Sequence, residues 1–135
     1  MVIDIKRIYE KPADEDGLRI LVDRLWPRGM SRKKAGIDVW LKDAAPSTEL
    51  RKWFNHDPER WDEFKSRYFE ELNGRDGLNR AVSDITEKDK ITLLFSSRDE
   101  KFNNAAALKE YIEKYRLRSR QAKIKSTDPT FIKNS

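Results

Sequence analysis

At 135 residues the chain has the length of one domain, enough to bury about two thirds of its unfolded surface. It has no cysteine and a single histidine, His56, which excludes disulfides and thiolate metal sites and leaves no ligand cluster for a metal. No apolar run nears the roughly 18 residues of a membrane span, and the N-terminus lacks a secretory pattern, so no membrane partner and a cytoplasmic location are expected. The net charge of +5 is unevenly placed. Residues 114–135 carry seven cations and one carboxylate, or +6, against 22 cations and 23 carboxylates, or −1, in residues 1–113. The basic character belongs to the end of the chain, and an α/β domain over 1–116 followed by a basic tail over 117–135 is expected.

In chain order, residues 2–8 alternate apolar and polar, the pattern of a half-buried strand. Residues 10–17 form an acidic, turn-rich loop. A second strand is expected over 18–25, stopped by Trp26-Pro27-Arg28-Gly29, where proline removes a donor and glycine permits a turn. Ser31 caps a short helix through Ala35, and 37–41 is a short extended piece carrying Trp40. Ser47 caps a helix that runs to about Phe54. Asp57 and Pro58 begin the next, whose buried stripe of Trp61, Phe64, Tyr68 and Leu72 ends near Asn73-Gly74. A shorter helix spans 78–85. Residues 91–95 are almost entirely apolar, as suits a strand buried on both faces. The last helix covers 103–116 with a stripe of Leu108, Tyr111, Ile112 and Tyr115. Trp61, Phe64, Leu72, Leu93, Leu94 and Leu108 are expected in the core. This order implies a small, mainly parallel sheet with helices packed on it. The alternative is a mixed sheet in which the 10–17 loop joins an antiparallel hairpin.

Two loops stand out chemically. The first, 22–29, packs Asp23, Arg24, Trp26 and Arg28 into a strand end, and arginine forks suit phosphate or carboxylate. Its plainer reading is an Asp23–arginine pair bracing a turn, with Trp26 as core. The second, 96–104, joins the buried strand to the last helix and carries Arg98, Asn103 and Asn104. A helix start favours anions, and the plainer reading is an ordinary turn capped by Asn103. His56 is a further candidate, as a general acid or base or simply as a turn residue between helices. A triad with Ser96 or Ser97 lacks the nucleophile-elbow pattern.

The segments Val22-Asp-Arg-Leu-Trp-Pro-Arg-Gly29, Ala45-Pro-Ser-Thr-Glu-Leu-Arg-Lys-Trp-Phe54, His56-Asp-Pro-Glu-Arg60 and Thr92-Leu-Leu-Phe-Ser-Ser-Arg-Asp99 make the chain similar to the YeaO-like family. This is a domain-of-unknown-function family of small bacterial and archaeal proteins, and the resemblance covers about residues 1–116. It implies kinship and no mechanism. Relatives typically read Asn-His-Ala where this chain has Asn103-Asn104-Ala105, so family chemistry that needs the imidazole would be affected here. Neither a helix-turn-helix signature nor a glycine-rich cofactor loop is present, and no cofactor is expected.

The leading expectation is that the two loops open on one sheet edge and that Arg24, Arg28 and Arg98 converge there on an anion, with hydrolysis or group transfer as chemistry such a site could serve. Asp23 would orient a guanidinium, Trp26 would form an apolar wall, Asn103 or Asn104 would offer polar contacts, and His56 would lie at the rim. The ligand would be a small phosphorylated molecule or nucleotide. Two alternatives stand beside it. One is a nucleic-acid-associated adaptor whose tail residues Arg116, Arg118, Arg120, Lys123 and Lys125 contact phosphates. The other is a protein-interaction module without catalysis.

Overall fold

A computed structural model describes residues 2–114. The tail, and the Tyr115 and Arg116 with which the last helix was expected to end, lie outside the described residues. Four strands, β1 (Val2–Arg7), β2 (Leu18–Leu21), β3 (Val39–Trp40) and β4 (Lys90–Phe95), form one sheet in the order β1-β4-β2-β3. Every pairing is parallel. The antiparallel alternative therefore gives way. The segment 8–17 does not turn β1 back on β2 but returns along the sheet, so that β4 lies between them. Ten residues suffice, because an extended chain spans about 3.3 Å per residue and a six-residue strand is only about 20 Å long.

That return is held down by charge. Asp16, buried in the segment's short 3-10 turn, pairs with Lys6 of β1 at 3.1 Å and with the buried Arg19 of β2. Arg19 also donates to the carbonyls of Gly36 and Ala35 at 3.0 and 2.7 Å. Burial alone would raise the Asp16 pKa, but the Ala13 N–H, Lys6 and Arg19 outweigh it and hold the carboxyl below its ordinary range. Gly17 follows at φ 65, where a Cβ would lie 2.4 Å from the Lys90 carbonyl oxygen. Only glycine fits this approach to β4.

The strands alternate, and each parity serves a different layer. Ile3, Ile20, Ile91, Leu93 and Phe95 share a core with α2 (Thr48–Phe54), α3 (Trp61–Asn73), α4 (Asp76–Ile85) and α5 (104–114). Leu21 and Leu94 face the other side, with Ile8, with Ala35 of the short helix α1 (Arg32–Ala35) and with Ile37. The central β4 is thus buried on both faces, as its apolar run requires. Phe64, Leu72, Leu93, Leu94 and Leu108 are buried. Trp61 is not fully so: it packs on the core from the side, stacked on Phe64 at 5.6 Å, because it begins α3 rather than sitting inside it. The helix starts there and not at Asp57, whose carboxylate caps a preceding 3-10 turn, Pro58–Arg60. β2 also ends earlier than its sequence suggests, at Leu21. Val22 N still donates to Leu94 O at 3.1 Å, but beyond it the chain leaves the sheet at Asp23.

Candidate functional site

Parallel pairing sends the chain out of β1, β2 and β4 at one edge of the sheet, and the loops that follow are tied together there. Arg7, the last residue of β1, donates to the carbonyls of Ser97 and Ser96 at 3.0 and 3.4 Å. Its guanidinium lies 5.2 Å from the ring centre of Tyr9, whose hydroxyl donates to Arg28 O at 3.3 Å. Asp23 is the central acceptor. Its carboxylate takes the Ser96 N–H at 2.9 Å, the Ser96 hydroxyl at 2.7 Å and the Asn104 amide at 3.1 Å. Its carbonyl takes the Trp40 indole N–H at 2.8 Å. Asn104 also donates to Val22 O at 3.0 Å. The ends of β2 and β4 and the start of α5 are joined through these two side chains.

A cleft of about 630 Å³ opens at this edge. The first arginine loop, the 96–104 loop and α2 with its following turn all line it. Ser47 caps α2 by accepting from Leu50 N at 3.1 Å, and Glu71 of α3 accepts from the Ser47 N–H at 2.9 Å. Phe54 stacks on Phe64 at 4.5 Å. These contacts turn Leu50 and Phe54 inward and leave Arg51 and Lys52 exposed at the cleft. Arg24 lines it too. Its Nη2 reaches Pro46 O at 3.5 Å, and its Nε is buried with no hydrogen-bond partner. Arg28 is exposed at the mouth, just before Gly29 turns the chain at φ 72.

The expected residues divide. Asp23, Arg24, Trp26, Arg28, Asn103, Asn104 and His56 all line the cleft. Arg98 does not; it is exposed and lies outside the lining, so the three arginines do not converge. The loop geometry explains this. Asp99, two residues after Ser97, accepts the N–H groups of Lys101 and Phe102, each at 2.9 Å. That tight turn carries Arg98 on its outer side. Nor does Asp23 orient a guanidinium, since Ser96 and Asn104 occupy its carboxylate. Asn103 is consumed as the cap of α5, its oxygen accepting from Ala106 N at 2.8 Å and its amide donating to Asp99 O at 3.0 Å. Trp26 donates to Met30 O at 2.6 Å and meets Trp40 edge-on at 5.2 Å. It is therefore a packed wall and not a free ring.

His56 is exposed on the rim at φ 55, following Asn55 at φ 47. Two consecutive left-handed residues that are not glycine store backbone strain at this turn. Across the rim the Asp99 carboxyl is held below its usual range, first by the Phe102 and Lys101 N–H groups and further by the charge of His56. Arg51 and Lys52 were absent from the sequence expectation. Their signal was the phase of α2, which sets Lys52 opposite Leu50 and Phe54 and Arg51 on the flank between the two faces. Among the described residues no group of three or more His, Asp or Glu side chains could hold a metal ion, and no helix is long and apolar enough to cross a membrane.

A small parallel α/β protein with a polar cleft at the carboxyl edge of its sheet is the class that fold and site define. Within that class the chain belongs to a family described as the inactive DUF488-N3 subclade, whose model matches residues 2–132. The match runs past Arg116, beyond the stretch that the four sequence segments cover. The chain is 38% identical to the uncharacterised protein YeaO of Escherichia coli over 112 residues, 83% of this chain and 97% of that one. It is 39% identical to an uncharacterised protein of Mycobacterium tuberculosis over 110 residues, 82% and 92% of the two chains. The YeaO-like kinship read from the four sequence segments thus holds. No solved structure matches the chain.

Proposed function

We propose that the cleft binds a small phosphorylated anion and does not turn it over. The observation that carries this reading is a cluster of cations with no carboxylate left to answer them. Arg24, Arg28, Arg51 and Lys52 come from two segments to one cleft. None of them takes part in an ion pair among the described residues. Asp23, the carboxylate in the lining, already accepts three hydrogen bonds. The buried Nε of Arg24 is a charged donor without an acceptor, which costs about 1–3 kcal/mol until an anion or water meets it. The first turn of α5 adds the positive end of a helix at the cleft. Membership of a family described as inactive favours binding over catalysis, as does the engagement of Asp23, Asn103 and Asn104 in holding the loops together.

Calorimetric titration with inorganic pyrophosphate and with nucleoside monophosphates tests this. The double variant Arg51→Ala/Lys52→Ala, exposed on α2, should weaken binding at least tenfold, since one hydrogen bond to a charged group is worth about 1.5–3 kcal/mol. Arg98→Ala should leave binding unchanged. Binding that ignores Arg51 and Lys52, or that falls with Arg98, would place the site elsewhere.

A further inference from the structure

The cations do not stop at the cleft. From Arg24 to Ile37 the sequence has five basic residues and no acidic one. Arg28 lies at the cleft mouth, and Arg32, Lys33 and Lys34 follow on the exposed surface of α1. None of the four is in an ion pair among the described residues. Elsewhere among the described residues the cations are mixed: Lys6, Arg19, Lys65, Arg67, Arg75 and Lys90 each have a carboxylate partner, while Arg7, Lys11, Lys42, Arg80, Lys88 and Lys101 have none. What sets this stretch apart is its run of cations with no carboxylate in the same segment. A single phosphate in the cleft cannot reach charges spread along the chain from its mouth to the last residues of α1.

Beside this track stand two apolar groups that ordinary packing would have covered. Leu25 is 68% exposed and Tyr9 is 43% exposed, and both line the cleft. Tyr9 is also fixed in place, by Arg7 against its ring and by its hydroxyl on Arg28 O. A held aromatic ring next to unpaired cations is the arrangement that lets a base stack while its phosphate is neutralised. In a duplex the faces of the bases are hidden in the stack, so a single strand fits this surface and a double helix does not.

We propose that the ligand of the cleft is one nucleotide unit of a single-stranded nucleic acid, its base against Tyr9 and Leu25 and its neighbouring phosphates on Arg28, Arg32, Lys33 and Lys34. The proposal rests on the anion-binding reading above and names its substrate class. It assigns the contact to the domain and not to the basic tail.

Fluorescence anisotropy of labelled octathymidylate with the full chain tests it, with thymidine monophosphate as competitor. The strand should bind at least tenfold more tightly than the mononucleotide. Arg32→Ser/Lys33→Ser/Lys34→Ser should remove most of that gain and flatten the log–log salt dependence by about 2, at about 0.7 per phosphate released. The monophosphate should bind this variant as before. Tyr9→Ala should weaken both ligands, and an unfolding curve for each variant confirms that the exposed substitutions keep the fold. Equal affinity for strand and mononucleotide would overturn the proposal and leave the small-anion reading standing. Loss of binding only in a tail variant, Arg118→Ser/Arg120→Ser/Lys123→Ser, would overturn it as well. So would binding to phosphatidylserine vesicles that octathymidylate does not displace. No binding of either nucleotide or of pyrophosphate would remove both readings together.

Discussion

Replacing Asp23 with asparagine separates a structural role for this carboxylate from a ligand-orienting one. Asn is nearly isosteric, so packing stays. The oxygen that faces Ser96, which accepts from its N–H and hydroxyl at 2.9 and 2.7 Å, can still accept both, now as part of a neutral group. Hydrogen bonds to a charged acceptor are worth about 1.5–3 kcal/mol and neutral ones about 0.5–1.5, so this half of the change costs about 1–2 kcal/mol. The other half is worse. The atom facing the Asn104 amide at 3.1 Å becomes a donor, and two NH2 groups then oppose each other at the joint between β2 and α5. The expected total is about 2–4 kcal/mol of stability. Urea unfolding at neutral pH measures it, and a double-mutant cycle with Asn104→Ala should show coupling of about 1 kcal/mol or more. A loss below about 0.5 kcal/mol, with anion binding abolished, would mean that Asp23 serves a guanidinium or a ligand and that the loop-joining account is wrong.

Acid unfolding reports on Asp16. Its folded pKa lies below the ordinary 3.8, so the native state holds fewer protons than the unfolded one near that pH. The stabilisation is fully present above about pH 4 and is lost as pH falls through the folded value. Asp16→Asn should lower stability at neutral pH and flatten the acid limb of the stability profile; an unchanged limb would refute the pairing with Lys6 and Arg19. The two faces of the sheet can be probed separately by equilibrium unfolding. Phe64→Ala on the helical side should cost about 3–5 kcal/mol and Leu94→Ala on the other about 2–5, and a surface-like effect for Leu94 would refute the two-sided burial of β4.

Much of the architecture was legible along the chain because burial leaves a local trace. The run Ile91–Phe95 has no polar alternation except at Thr92, and a strand with that composition has to be covered on both faces. The stripe of Phe64, Tyr68 and Leu72 and the caps at Ser31, Ser47 and Asn103 are likewise written within one or two turns of helix. The loops at 22–29 and 96–104 stand out by residue type, and residues of both line the cleft.

What could not be read locally was who meets whom. Period tells which face a side chain takes, but not which strand lies alongside, and the central place of β4 in the order β1-β4-β2-β3 depends on its pairings with β1 and β2, made across some seventy to ninety residues of chain. The same limit governed the site. Asp23 and Arg24 are neighbours in sequence, which suggested a pair, yet Asp23 is claimed by Ser96 and Asn104 because β4 and α5 fold against the end of β2. Arg98 resembled its fellow arginines in every local respect, and the Asp99 turn carries it outward. Arg51 and Lys52 resembled an ordinary solvated helix face and reach the cleft because Glu71 and Phe64 dock α2 there. A local pattern records the free energy of burial, which each residue feels alone; the convergence of charges on one cleft is a property of contacts that exist only once the chain has closed.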